Sequence, residues 1–243
     1  MARIAKTLGK DEDAAYYRDL NEKVRQAFIA EYVHEDGTLD ADFQGIYVIC
    51  LKNNLVTDEV RPKMVMHLRE MIENNRGCLD TGFLSILFLM DVLCENGSRD
   101  VAYSLMYQNK CPGWLYEVEH GATTMWESWG AISEDGTVSS YSFNHYAFGC
   151  VGEWLYREIG GLKSLAPGYK KFRIEPALDC GLNYANASLR TPYGKAAVSW
   201  RIEDGKAELD VTVPPNTSAE VIVDGKVNEV GSGTYQFKAF ITK

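Results

Sequence analysis

Residues 81–94 read TGFLSILFLMDVLC. Phe83, Leu84, Ile86, Leu87, Phe88, Leu89, Met90, Val92 and Leu93 leave Asp91 as the single charge in this run. A helix apolar all round is one that packs on both sides. Such a helix needs neighbours, and the chain on either side supplies amphipathic ones. Upstream, Thr57 can cap a helix whose first turn carries Asp58 and Glu59, where the helix dipole favours negative charge. Pro62 falls early enough to be tolerated, and Val60, Met64, Leu68, Met71 and Ile72 give that helix its apolar face. Further upstream, 43–52 is a short, strongly apolar helix that ends at Asn53-Asn54. Residues 11–33 form an amphipathic helix with Tyr16, Leu20, Val24, Phe28 and Tyr32 repeating every four, and Asp36-Gly37 marks the turn after it.

Downstream, Asn96-Gly97 ends the apolar helix and Ser98 can cap the next, over 99–108. A loop over 109–113 delivers the Trp114–Trp129 segment, and Asp135-Gly136 is another turn. Ser142 or Asn144 starts a last helix over 146–159, which stops at Gly160-Gly161. That makes about six helices joined by short turns, with buried and amphipathic members alternating. This alternation is what an (α/α) toroid of six hairpins needs, and the chain carries about half of one. From about Lys163 the period changes from four to two. Val198, Trp200 and Ile202 alternate with polar residues, Asp204-Gly205 follows, and Ala207, Leu209, Val211 and Val213 alternate again. Val221-Ile222-Val223, Asp224-Gly225 and 235–240 add short strands. The fold expected is therefore a multidomain α-then-β chain: an incomplete (α/α)6 toroid over 1–162, then a small antiparallel β-sandwich over 163–243.

The composition bounds the partners. The chain has 243 residues, a net charge of −9 and 46% hydrophobic residues, so it can bury a core and is unsuited to nucleic acid or an anionic membrane. It has no run of about 18 apolar residues to cross a membrane. The start, MARIAKTLGKDEDAAYY, lacks the apolar stretch of a secretory signal. Cys50, Cys78, Cys94, Cys111, Cys150 and Cys180 form no C-x-x-C pair, and most sit in apolar helical patterns as small hydrophobes. A reduced, cytoplasmic protein is the expectation. His34, His67, His120 and His145 show no metal-ligand spacing, so neither a metal nor another cofactor is expected.

The chemistry concentrates in 121–156, GATTMWESWGAISEDGTVSSYSFNHYAFGCVGEWLY. Trp126, Trp129, Phe143 and Tyr146 surround one carboxylate, Glu127, and one imidazole, His145. Flat apolar rings stack on the C–H face of a sugar, and a carboxyl buried beside them has its pKa raised, which suits acid–base work. Core packing is the competing use for both tryptophans. Glu153, two turns into a helix, reads as structural. Glu117 and Glu119 precede the motif and could hydrogen-bond near the site.

The motif is longer than residue types alone. GATTMWESW followed by SFNHYAFGCVGEWLYREIGGL resembles the end of the catalytic barrel of bacterial α-L-rhamnosidases, glycoside hydrolase family 78. Leu79-Asp80-Thr81-Gly82-Phe83 resembles the family's TGF helix start. Residues 168–176, GYKKFRIEP, and 191–194, TPYG, resemble its C-terminal β domain. The resemblance covers nearly the whole chain. It implies an inverting glycosidase with two carboxyls about 6.5–9.5 Å apart, leaving room for the attacking water. On that resemblance Glu127 is the general base, and His145 contacts the sugar hydroxyls with one donor and one acceptor. Trp126 and Trp129 are candidate pocket walls for the C5 methyl group of rhamnose. The partner implied is a rhamnose-containing glycoside.

One family feature does not appear. The general acid of the family lies in a D-x-x-x-R-x-E-x-x-G-W pattern, and no such pattern occurs in this sequence. The chain thus resembles the C-terminal portion of a rhamnosidase, incomplete and inactive by itself, with the acid supplied by a missing catalytic half. Uncovered inner helix faces would then favour self-association. Two alternatives stand beside this reading: a non-catalytic sugar-binding or scaffold fragment, and another inverting (α/α)6 glycosidase acting on a different terminal sugar.

Overall fold

The computed structural model describes residues 1–240. The chain divides into two units, Met1–Gly149 and the residues from Cys150 onward. Among the described residues there are eight α-helices, followed by two four-stranded sheets. No helix among them is long and apolar enough to cross a membrane.

The first unit is helical: α1 (Ala2–Thr7), α2 (Asp11–Tyr32), α3 (Gln44–Lys52), α4 (Arg61–Asn74), α5 (Phe83–Glu95), α6 (Arg99–Tyr107) and α7 (Trp114–Glu119). Helix α3 packs on α4 and α5, and α5 on α6. The start of α4 departs from the expectation: the helix begins at Arg61 with no side-chain cap, so Thr57 does not cap it and Asp58 and Glu59 lie outside its first turn. Thr57 Oγ1 accepts the Val60 N–H at 3.3 Å, closing a turn just ahead of the helix, and Pro62 lies in the first helical turn. Ser98 stands at the cap position of α6 but caps only through its backbone, its carbonyl accepting the N–H groups of Val101 and Ala102. Gln44, buried at the start of α3, clamps the approach to α5: its Nε2 donates to the Cys78 carbonyl at 3.2 Å and its Oε1 accepts the Asp80 N–H at 2.7 Å.

Four expectations change here. The amphipathic helix over 11–33 forms, and Arg25 ties it to the loop after α3 through Asn54 O (2.7 Å) and Val56 O (2.9 Å). Its apolar stripe, however, stays open: Tyr16, Leu20, Val24 and Tyr32 are exposed. Helix α5 buries Ile86, Leu89, Met90, Val92 and Leu93 but exposes Phe83, Leu84 and Leu87, so it packs on one side rather than both. Periodicity reports that a face wants a partner; it does not report that the same chain provides one. The helix expected over 146–159 is not regular either. It begins as a 310 turn at Ala147–Cys150, becomes α8 (Val151–Trp154) and widens into a π turn at Leu155–Ile159. Gly149 and Gly152 fall within it, and each weakens helix by about 1 kcal/mol relative to alanine. Helices α1 and α7, which the apolar periodicity does not announce, bring the count from about six to eight.

The second unit holds β1 (Leu162–Ser164), β2 (Lys171–Ile174), β3 (Tyr184–Thr191), β4 (Gly194–Glu203), β5 (Lys206–Val213), β6 (Ser218–Val223), β7 (Lys226–Val230) and β8 (Gly233–Phe240). The sheets run β1-β2-β6-β7 and β3-β4-β5-β8. Period-two burial is plain on β4 and β5, where Ala196, Val198 and Trp200 and then Ala207, Leu209, Val211 and Val213 are buried. The β4–β5 and β6–β7 hairpins turn on Asp204-Gly205 and Asp224-Gly225 with positive φ at both residues of each pair (48° and 72°; 48° and 71°), the mirror-image turn that matches strand twist. One pairing corrects the purely antiparallel expectation: β2 and β6 run parallel. Gly161, between the helical stretch and β1, has φ +81°, and a Cβ there would lie 2.3 Å from Pro176 N. Trp200 Nε1 donates to Ile159 O at 3.0 Å, tying the helical start of this unit to its sheet.

Candidate active site

The site grows from two loop segments of the first unit that run side by side. His145 N donates to Met125 O at 2.8 Å, and Glu127 N donates to Ser142 O at 2.9 Å. Ser142 N returns a bond to Glu127 Oε2 at 2.9 Å, and Thr124 Oγ1 donates to the Phe143 carbonyl. This pairing brings Glu127 and His145, eighteen positions apart in sequence, onto adjacent strips of backbone. The loop between them closes through Ile132 pairing with Val138 and through the Asp135 carboxylate, which accepts from Ser133 Oγ (2.7 Å) and Thr137 N (3.0 Å). Those bonds, the Ser133 hydroxyl first, hold the Asp135 pKa down at about 2.

Glu127 is half-buried, with Oε2 engaged by Ser142 N. His145 is half-buried too, and its Nδ1 accepts the Ala147 N–H at 3.3 Å. An acceptor at Nδ1 assigns the ring proton to Nε2, leaving an N–H donor on the other side of the ring. The ring lies parallel to Phe83 (4.8 Å between centroids, 14° between planes) and to the exposed Tyr146 (5.5 Å, 6°). Phe83 is the first residue of α5, so the TGF segment serves the site through this stack.

The two tryptophans turn inward. Trp126, 2% exposed, packs with Tyr116 and Ala131 and meets the edge of Phe143 at 5.3 Å. Trp129 stacks on Phe148 at 3.8 Å and meets Trp114 edge-on at 5.3 Å, and its buried Nε1 has no hydrogen-bond partner among the described residues. In this arrangement both rings serve the core, the use that competes with sugar stacking. The rings that remain open beside His145 are Phe83 and Tyr146.

Helix α7 is the clamp beneath the motif. Trp114 Nε1 donates to Phe148 O (2.9 Å), Tyr116 OH to Ile132 O (2.8 Å), and Glu117 Oε2 accepts the Trp126 N–H (3.2 Å). Burial pushes the Glu117 carboxyl up to about 7, and the bond from Trp126 N offsets only part of that. The strongly desolvated carboxyl of this region is thus Glu117, ten residues before Glu127. The tryptophan pattern draws attention to Glu127; Glu117 follows Trp114 and Tyr116, and nothing in that run marks its carboxyl as the buried one. Glu119 accepts from Asn109 Nδ2 (3.2 Å) at the surface, and in the second unit Glu153 pairs with Arg157 on its own helix (3.0 Å). Among the described residues no group of three or more His, Cys, Asp or Glu is placed to hold a metal ion.

Two family models match the chain: the bacterial α-L-rhamnosidase six-hairpin glycosidase domain over residues 1–159, and the bacterial α-L-rhamnosidase C-terminal domain over 161–238. An α-L-rhamnosidase of Streptomyces avermitilis is 39% identical over 97% of this chain and 25% of its own length. One from Formosa agariphila is 38% identical over 90% and 24%. The crystal structure of the Streptomyces avermitilis enzyme, complexed with L-rhamnose, superposes with a TM-score of 0.93 over 98% of this chain and 25% of that one. The native Aspergillus terreus enzyme gives 0.94 at 33% identity, over 100% and 29%. The chain spans about a quarter of the length of these curated relatives. With both of its parts matched in order, the chain belongs to the bacterial α-L-rhamnosidase family.

Proposed function

We propose that this chain carries the general base and part of the sugar pocket of an inverting α-L-rhamnosidase, with 1–162 serving as part of the catalytic barrel and 163–243 as the β domain. The observation that carries the proposal is the pairing of 124–127 with 142–145, which puts one carboxylate and one imidazole N–H on neighbouring backbone. With Glu127 Oε2 held by Ser142 N, Oε1 is the oxygen available to a water molecule. As that water forms its bond to the anomeric carbon, Glu127 Oε1 takes its proton. The bond from carbon to the leaving oxygen breaks, and that oxygen takes a proton from the general acid. The acid comes from a segment or partner carrying the motif this sequence does not show. His145 Nε2–H donates to a ring hydroxyl, and Phe83 and Tyr146 offer the apolar surface beside it. Trp126 and Trp129, placed in the core here, shape the pocket by holding its floor.

The substrate class is a glycoside ending in α-L-rhamnose, supported by the family and by the ligand of the Streptomyces avermitilis structure. A second reading, a sugar-binding fragment without turnover, has the missing acid motif in its favour. Incubation with an aryl α-L-rhamnoside and titration with L-rhamnose test both. The proposal expects saturable L-rhamnose binding that His145→Ala abolishes, and no turnover by the chain alone. Turnover that survives Glu127→Gln would overturn the assignment of the base.

A further inference from the structure

We infer that Glu117 is the positioning residue for Glu127: its buried carboxyl accepts the Trp126 N–H and so fixes the backbone from which the Glu127 carboxylate projects. The inference rests on the proposed role of Glu127 and extends it to a residue of α7 that touches no substrate. Three consecutive backbone groups of the motif have partners. Met125 O is taken by His145 N and Glu127 N by Ser142 O, both on the 142–145 strip. The Trp126 N–H between them points the other way, into the core, and finds Glu117 Oε2 at 3.2 Å. Without that acceptor a buried N–H would lie unpaired in the middle of the segment that carries the base.

The rest of the Glu117 side chain argues against simple packing. The residue is 2% exposed, and Oε1 is buried with no hydrogen-bond partner among the described residues. A leucine would fill this space without an unpartnered oxygen, so what the carboxyl contributes lies in the single bond that it makes. The burial of the side chain separates Glu117 from a proton donor to substrate. Burial raises its pKa to about 7, consistent with a carboxyl kept largely neutral in slightly acidic solution while still accepting through Oε2. The ionisable groups nearest it in the chain are Tyr116 and Glu119 on α7 and His120 just after it, with Glu127 on the segment it holds and Cys111, whose thiol feels its charge.

Residue-resolved amide hydrogen exchange on the full chain tests this, with wild type, Glu117→Gln and Glu117→Leu compared. The glutamine carbonyl can accept the same N–H, so Glu117→Gln should keep Trp126 and Glu127 protected within about threefold, while Glu117→Leu should speed their exchange tenfold or more. The acceleration should be confined to 125–127 and 142–145 and leave α3–α6 unchanged. Equal acceleration throughout the first unit, or none at Trp126 in Glu117→Leu, would overturn the inference. Should Glu117→Leu fail to fold, the wild-type Trp126 amide shift decides. It should titrate with a midpoint near 7 and lose that titration in Glu117→Gln; a flat wild-type shift overturns the inference. These readouts need no ligand. Failure of L-rhamnose to bind the wild type would therefore sink the proposed function and leave the positioning role measured.

Discussion

Glu117 makes a prediction whose size follows from its surroundings. Its carboxyl moves from the ordinary glutamate value of 4.5 to about 7 on folding. A pKa raised by folding means that the folded state holds the proton more tightly than the unfolded chain. The contribution to stability is full below 4.5 and is lost as pH rises through 7. At about 1.4 kcal/mol per pH unit the whole loss is about 3 kcal/mol, of which about 2 kcal/mol falls between pH 5.5 and 8. Glu117→Gln removes the titration and keeps an acceptor for Trp126 N. Urea unfolding of both proteins across that window, followed by tryptophan fluorescence, isolates the residue, because every other titrating group is common to both. The stability of wild type relative to Glu117→Gln should fall by about 2 kcal/mol, a shift of about 1 M in the relative midpoint. A difference that stays constant with pH would refute the desolvation of Glu117.

Other perturbations probe the frame. Gly161→Ala should destabilise the second unit by more than 1 kcal/mol, since φ is +81° and the new Cβ would meet the Pro176 backbone; a melting temperature matching wild type would contradict the strain. Trp200→Ala should cost about 3–5 kcal/mol, because the indole is 1% exposed and donates to Ile159 O; urea unfolding reads this directly. The open faces of α2 and α5 should drive self-association of the isolated chain at micromolar concentration, and Leu84→Glu with Leu87→Glu should reduce it. A sharp monomer in light scattering for the wild type would count against this.

Much of the fold was legible because its signals are local. The Asp-Gly turns and the period-two runs of β4 and β5 are each settled by a few adjacent residues. The β2–β6 pairing was not legible. Strand β2 has only four residues, and its partner lies more than forty positions away, so nothing in its own sequence chooses parallel over antiparallel. The site divides in the same way. The motif located Glu127 and His145, but the pairing of their backbone through Ser142 and Met125 is tertiary. Flanking tryptophans made Glu127 look like the desolvated carboxyl. Both rings instead turn into the core, Ser142 N engages the carboxylate, and the burial falls on Glu117, which reaches Trp126 from α7. Proximity to tryptophan in sequence does not specify which carboxyl shares its interior.

The central claim is that Glu127 and His145 form one half of a rhamnose site. The most direct measurement is an amide-resolved NMR titration of the full chain with L-rhamnose, with L-fucose as control. The account predicts saturable shifts confined to 124–127, 142–146 and the Phe83 end of α5, lost in His145→Ala and weaker or absent with L-fucose. Saturable shifts clustered elsewhere, or no saturable shift at these positions, would contradict it.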